Sequence, residues 1–295
     1  MRYAAHETLV APARPSAGLG RLMAGIAVTV VLFLILSVIY SLALPVLFGA
    51  EVWARIAPGV ERATTPAGVL VNLFIFALLI AALAISLWRV HRRSLPSVIG
   101  PVAPALWQFR RALVALVMLY TVIIVVPLPE NMDLAPNLAL STWIRFLPLA
   151  LLALFLQVLA EEVVFRGYLQ SQLAARFASP IVWLALPSIV FGMLHFDPAS
   201  HGATSWLVAG WATVFALAAG DLTARFGTLA PAVALHLVNN VSAILVAAPQ
   251  GRFDGLALYA YPFSLKESEA VLALMPLDFL ILLCSWLAIR LALRG

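Results

Sequence analysis

The stretch AEEVVFRG, residues 160–167, sets two carboxylates and a guanidinium directly behind the apolar run FLPLALLALFLQVL, which reads as a membrane-spanning helix. A charged residue at the centre of such a helix costs roughly 2.5–3.5 kcal/mol, and such residues face the protein interior or water. Helical spacing sorts the three. Glu162 and Arg166 are four apart, share a face and can neutralise each other. Glu161, rotated by about 100°, can point into the bundle with no partner on its own helix. FGMLHF puts Phe191 and His195 on one face, and PAVALHLVNN does the same for His236 and Asn240, with Asn239 to one side. A carboxylate, two imidazoles and a carboxamide from separate helices could converge to hold a water or a metal ion and activate water for attack on a carbonyl. Two His and one Glu completed by water form one class of catalytic zinc site. Glu161, His195 and His236 are therefore the candidate ligands if zinc is bound. Each group alone has a plainer reading: a packing histidine, a helix-end ion pair, or interhelical glue for Asn240. Their recurrence on three helices at the same i, i+4 spacing weighs against it. Asp278, which follows Pro276, is read as structural or unassigned.

These side chains must be positioned by elements buried in lipid. Of the 295 residues 64% are hydrophobic and 11% charged, with mean hydropathy +1.04, against about half apolar and a quarter charged in a soluble domain. The expected fold is all-α, a polytopic membrane helical bundle. A span needs about 20 apolar residues, which gives eight expected transmembrane helices at 22–48, 66–88, 111–128, 146–165, 180–197, 205–220, 229–248 and 270–291. The first is too long for a signal peptide and reads as an uncleaved anchor. Residues 1–21 are expected to form a cytoplasmic tail and 22–291 a single membrane domain. With the N-terminus inside, 13 of the 18 Arg and Lys fall on the cytoplasmic side. This bias favours cytoplasmic termini and accounts for the net charge of +5 without nucleic acid. The expected location is a bacterial inner membrane, with the lipid bilayer as a partner. Cys284, the single cysteine, is taken as packing, since one thiol makes neither an intrachain disulfide nor a cysteine zinc site.

EEVVFRGYL resembles the Glu-Glu-x-x-x-Arg motif of the CAAX-prenyl-protease and bacteriocin-processing (CPBP, or Abi) family of intramembrane proteases. FGMLH is similar to its Phe-x-x-x-His motif and HLVNN to its His-x-x-x-Asn motif, and LTARFGTLAPAVALH is similar to the usual approach to the third. The motifs stand in the family's order and spacing over about 145–248, the expected catalytic core. The resemblance implies an endopeptidase of peptide or membrane-protein substrates. It makes Glu161 the catalytic acid/base and Glu162 and Arg166 its support. His195 and His236 would orient the water or bind a metal, Asn240 would help stabilise the oxyanion, and Phe191 would line the pocket. Family members have been described both as zinc enzymes and as metal-free enzymes using a glutamate-activated water. The absence of His-Glu-x-x-His excludes a zincin-type site.

Simple spans leave an offset, because Glu161 falls near the cytoplasmic end of its helix and His195 near the outer end of the next. For these groups to meet, the fourth helix must run past Arg166, or the fifth must start later or tilt. Two other functions compete. Intramembrane Glu and His also mark transporters and proton relays, but no paired interrupted helices or repeat symmetry are seen. A catalytically inactive immunity protein of the same fold would not need every motif residue, and all are intact.

Overall fold

The computed structural model describes residues 3–125 and 134–294. Arg2, counted above on the cytoplasmic side, and residues 126–128 of the third expected span lie outside them. All eight apolar segments are helical, in chain order α1 (Leu19–Phe48), α2 (Pro66–His91), α3 (Val102–Val125), α4 (Leu140–Arg176), α5 (Pro180–Met193), α6 (Pro198–Phe226), α7 (Ala230–Val246) and α8 (Ser268–Ala292). Among the described residues six of these are long and apolar enough to cross a membrane, while α5 and α7 are shorter than a full span. The chain is an all-α, multi-pass membrane bundle, in which six of the helices among the described residues are of spanning length. The only strands among the described residues are three two-residue pieces, Ala135–Pro136, Ala247–Ala248 and Tyr259–Ala260, with the last in the middle.

Local chemistry fixes the helix ends. Thr65 accepts a hydrogen bond from the Gly68 amide, and Pro66 occupies the first turn of α2, where its missing N–H is no loss. Asp197 likewise accepts from the Ala199 and Ser200 amides ahead of α6. Gly227 ends α6 at φ 73°, a left-handed conformation that glycine adopts without strain. Ala50–Arg62, between α1 and α2, is a further amphipathic helix outside the expected spans.

Large apolar side chains cover the outside. Val46 is 83% exposed and Ile181 76%, while Glu162 is fully buried and Arg166 and His236 nearly so. Such a surface suits lipid, and the polar groups lie where helices meet. α4 is the central element, packed against α2, α5 and α7, with α6 behind α5 and α3 behind α7. It does not stop near Arg166. It continues through wide π-type turns over Val163–Gln170 to Arg176, so the Glu pair lies well inside the helix. Residues 4–16, read from the sequence as part of a tail, are helical in short turns and bury His6, Leu9 and Ala13.

Candidate active site

The Glu pair divides as its spacing suggests. Arg166 Nη1 donates to Glu162 Oε1 at 3.0 Å, with both side chains buried. The same oxygen receives His236 Nδ1 at 2.8 Å. Glu162 thus joins the two turns of α4 to α7 through one atom, and charge-assisted bonds of this kind are about twice as strong as neutral ones. With its Nδ1 proton committed, the imidazole presents Nε2 as an acceptor. Nε2 faces Glu161 Oε2 at 3.6 Å, beyond direct hydrogen-bond range. That oxygen is buried and finds no hydrogen-bond partner among the described residues.

Aromatic rings wall the group. Phe191 on α5 lies 4.7 Å from the His195 ring and 6.0 Å from the His236 ring, between centroids. Phe215 on α6 stands 5.0 Å from His236. The Arg166 guanidinium lies 4.6 Å from the Phe191 ring centre, a cation–π contact in a water-poor setting. Phe165, Phe191, Phe215, Leu235 and Val238 belong to one core cluster around these groups.

His195 differs in detail from its expected place. The span expected over 180–197 ends as a helix at Met193, and the His195 amide bonds the Gly192 carbonyl in a tighter turn. The cause is Asp197-Pro198. Proline disfavours helix in the residue before it, and the Asp197 side chain caps the next helix. The imidazole is half-buried, and its Nδ1 lies 2.9 Å from the Phe191 carbonyl. Glu161, Glu162, Arg166, Phe191 and His236 are drawn together by direct contacts, and His195 joins them through Phe191.

Asn240 is also placed by a residue that the sequence reading passed over. Its Nδ2 donates to Gln157 Oε1 at 2.9 Å. Gln157 precedes Glu161 by four residues and Asn240 follows His236 by four. α4 and α7 therefore face each other through two rungs, Glu161 with His236 and Gln157 with Asn240. The available signal was a lone amide, one turn before the Glu pair, in an otherwise apolar run.

The donor types suit zinc, which takes imidazole and carboxylate with an open water position. The spacing does not. Among the described residues no three His, Cys, Asp or Glu side chains are gathered closely enough to hold an ion.

Fold and site together describe a multi-pass helical bundle with a buried carboxylate–imidazole pair between its central helices. Residues 143–242, which hold all three motifs, match the Rce1-like family, described as type II CAAX prenyl endopeptidase Rce1-like. The resemblance read from the motifs is therefore shown over this segment, and at family level it supports a CAAX-protease-like intramembrane endopeptidase. Neither the curated proteins nor the solved structures give a match.

Proposed function

We propose that the chain hydrolyses a peptide bond of a membrane-associated substrate with a water activated by Glu161. The observation that carries this reading is the Glu161–His236 gap. A buried, unpartnered carboxylate oxygen and an imidazole nitrogen with a fixed tautomer face each other at 3.6 Å. A water to one side of that line can bond both. Glu161 takes a proton from this water as its oxygen forms a bond to the scissile carbonyl carbon. The oxyanion that develops is met by a hydrogen-bond donor, for which Asn240 is the candidate, while His195 is read as orienting the water. Collapse breaks the C–N bond, and Glu161 returns the proton to the leaving amine. Glu162 and Arg166 act through His236, holding its ring and tautomer. No step runs through a metal. Water must reach this depth, so the site is proposed to line an aqueous cavity. The arginine bias supports cytoplasmic termini, in what is proposed to be a bacterial inner membrane.

The test is cleavage of a prenylated CAAX peptide by protein reconstituted in vesicles, run in water enriched in oxygen-18. One labelled oxygen in the new C-terminal carboxylate is the expected product. Uncleaved peptide moved across the vesicle wall would instead support a transporter. Elemental analysis of the same preparation checks the metal-free route. One zinc per chain, lost on substituting His195 and His236 by alanine, would overturn that route.

A further inference from the structure

We infer that Gln157 is a positioning residue for the oxyanion donor, setting which hydrogen of the Asn240 amide faces the reacting carbonyl. This rests on the endopeptidase reading above and extends it to a residue outside the three motifs. An asparagine amide carries two hydrogens and one acceptor oxygen, and unrestrained it can rotate or flip so that oxygen and nitrogen exchange places. A flipped Asn240 would present a carbonyl to a developing negative charge and raise the barrier.

Both ends of the Asn240 side chain are engaged. Nδ2 donates to Gln157 Oε1 at 2.9 Å, and Oδ1 accepts from Asn239 Nδ2 at 3.3 Å. The first bond is the shorter and comes from the helix that carries Glu161. Gln157 is only 7% exposed, so little water competes for its oxygen. One Nδ2 hydrogen is thereby held by Gln157 and the other is left for the substrate. Because Gln157 and Glu161 share a face of α4, and His236 and Asn240 share a face of α7, one helix pair sets base and donor together. Preorganisation of this kind counts for more among buried groups than in bulk water.

The experiment is steady-state cleavage by the full-length reconstituted protein. Gln157→Met keeps length and volume but removes the acceptor, and Gln157→Glu keeps an acceptor oxygen. Both are combined with Asn240→Ala, and melting temperature in detergent is recorded. Gln157→Met is expected to lower kcat about tenfold, the scale of one neutral hydrogen bond, with KM changed less than about twofold. Gln157→Glu should recover most of that loss. In the Asn240→Ala background Gln157→Met should have no further effect on kcat, because a residue acting through Asn240 has nothing left to position. Wild-type kcat in Gln157→Met, or the same fold loss with and without Asn240, would overturn the inference. Wild type and Glu161→Gln serve as the separate controls: if wild type does not cleave, the endopeptidase reading fails; if Glu161→Gln cleaves normally, Glu161 is not the base; if Glu161→Gln is inactive while Gln157→Met is unimpaired, only the role of Gln157 fails.

Discussion

Among the residues, Glu162 and Glu161 are chemically identical neighbours in different surroundings, one paired with Arg166 and one facing His236 across a gap, and stability measurements should separate them. Arg166→Ala leaves Glu162 buried with His236 alone, and Glu162→Leu leaves Arg166 buried without its carboxylate. Breaking a buried pair from one side costs about 3–5 kcal/mol. Each variant should lose stability on that scale in denaturant titration in detergent, and the double variant should lose less than the sum. Glu161→Gln should stay near wild type, since the affected oxygen has no bond to lose. A stability loss in Glu161→Gln equal to that of Arg166→Ala would contradict this division. The pairing was legible because four residues separate the partners. Gln157 was not, because a lone amide in an apolar run reads as interhelical glue and its partner lies on a helix far along the chain. A second residue acts outside the membrane helices. His6 is buried against the Trp183 ring at 4.9 Å, and burial lowers its pKa to about 4 from 6.5. The fold favours the neutral ring, so nothing is lost above pH 6.5. As pH falls from 6.5 to 4, the unfolded chain takes up a proton that the folded chain refuses, and stability declines, by roughly 3 kcal/mol in full. His6→Phe should flatten the stability profile over that window. An unchanged acid-side slope in the variant would show that His6 is not the titrating group.

At the scale of elements, the site depends on how closely helices approach and how far they run. A Cβ on Gly192 would meet the Ala209 carbonyl oxygen at 2.5 Å, backbone that cannot swing aside. Gly192 therefore lets α5 lie tightly on α6, and it sits between Phe191 and His195 in sequence. Gly192→Ala should push the two helices apart and move both rings, lowering cleavage at least tenfold along with the melting temperature. Full activity and an unchanged melting temperature would show that the contact can relax freely. The length of α4 was the least readable feature. Arg166, Gln170, Gln172 and Arg176 look like the polar end of a span. The buried ones, Arg166, Gln170 and Gln172, are tolerated because they find partners, while Arg176 is exposed. His91 Nδ1 accepts from Gln172 Nε2 at 3.0 Å, and His91 Nε2 lies 2.9 Å from Tyr168 Oη. The Gln170 amide donates to the Gly220 carbonyl. Hydropathy reports what lipid would reject, whereas helix extent is set by what neighbouring chain can satisfy. The offset between Glu161 and the histidines arose from this, and the extension of α4 past Arg166 removes it.

At the scale of the whole molecule, composition and the length of the apolar runs were enough to read an all-α membrane bundle. They count α5 and α7 with the other spans because both are apolar like their neighbours, and in the structure these two are the shorter helices. The arginine distribution yields a testable topology. With Cys284 replaced by serine, a cysteine at Ser94, between α2 and α3, should react with a membrane-impermeant maleimide only after lysis. One at Gln250, between α7 and α8, should react on intact cells. The reverse pattern would invert the bundle while leaving the internal site as described.

The most direct test of the central claim is the single-turnover cleavage rate of Glu161→Gln against wild type, in protein whose melting temperature is unchanged. A positioned general base contributes about 10²–10⁴-fold, so the variant should cleave at least a hundredfold more slowly at saturating substrate. Cleavage within a few fold of wild type would show that Glu161 is not the base and that the pair it forms with His236 is structural.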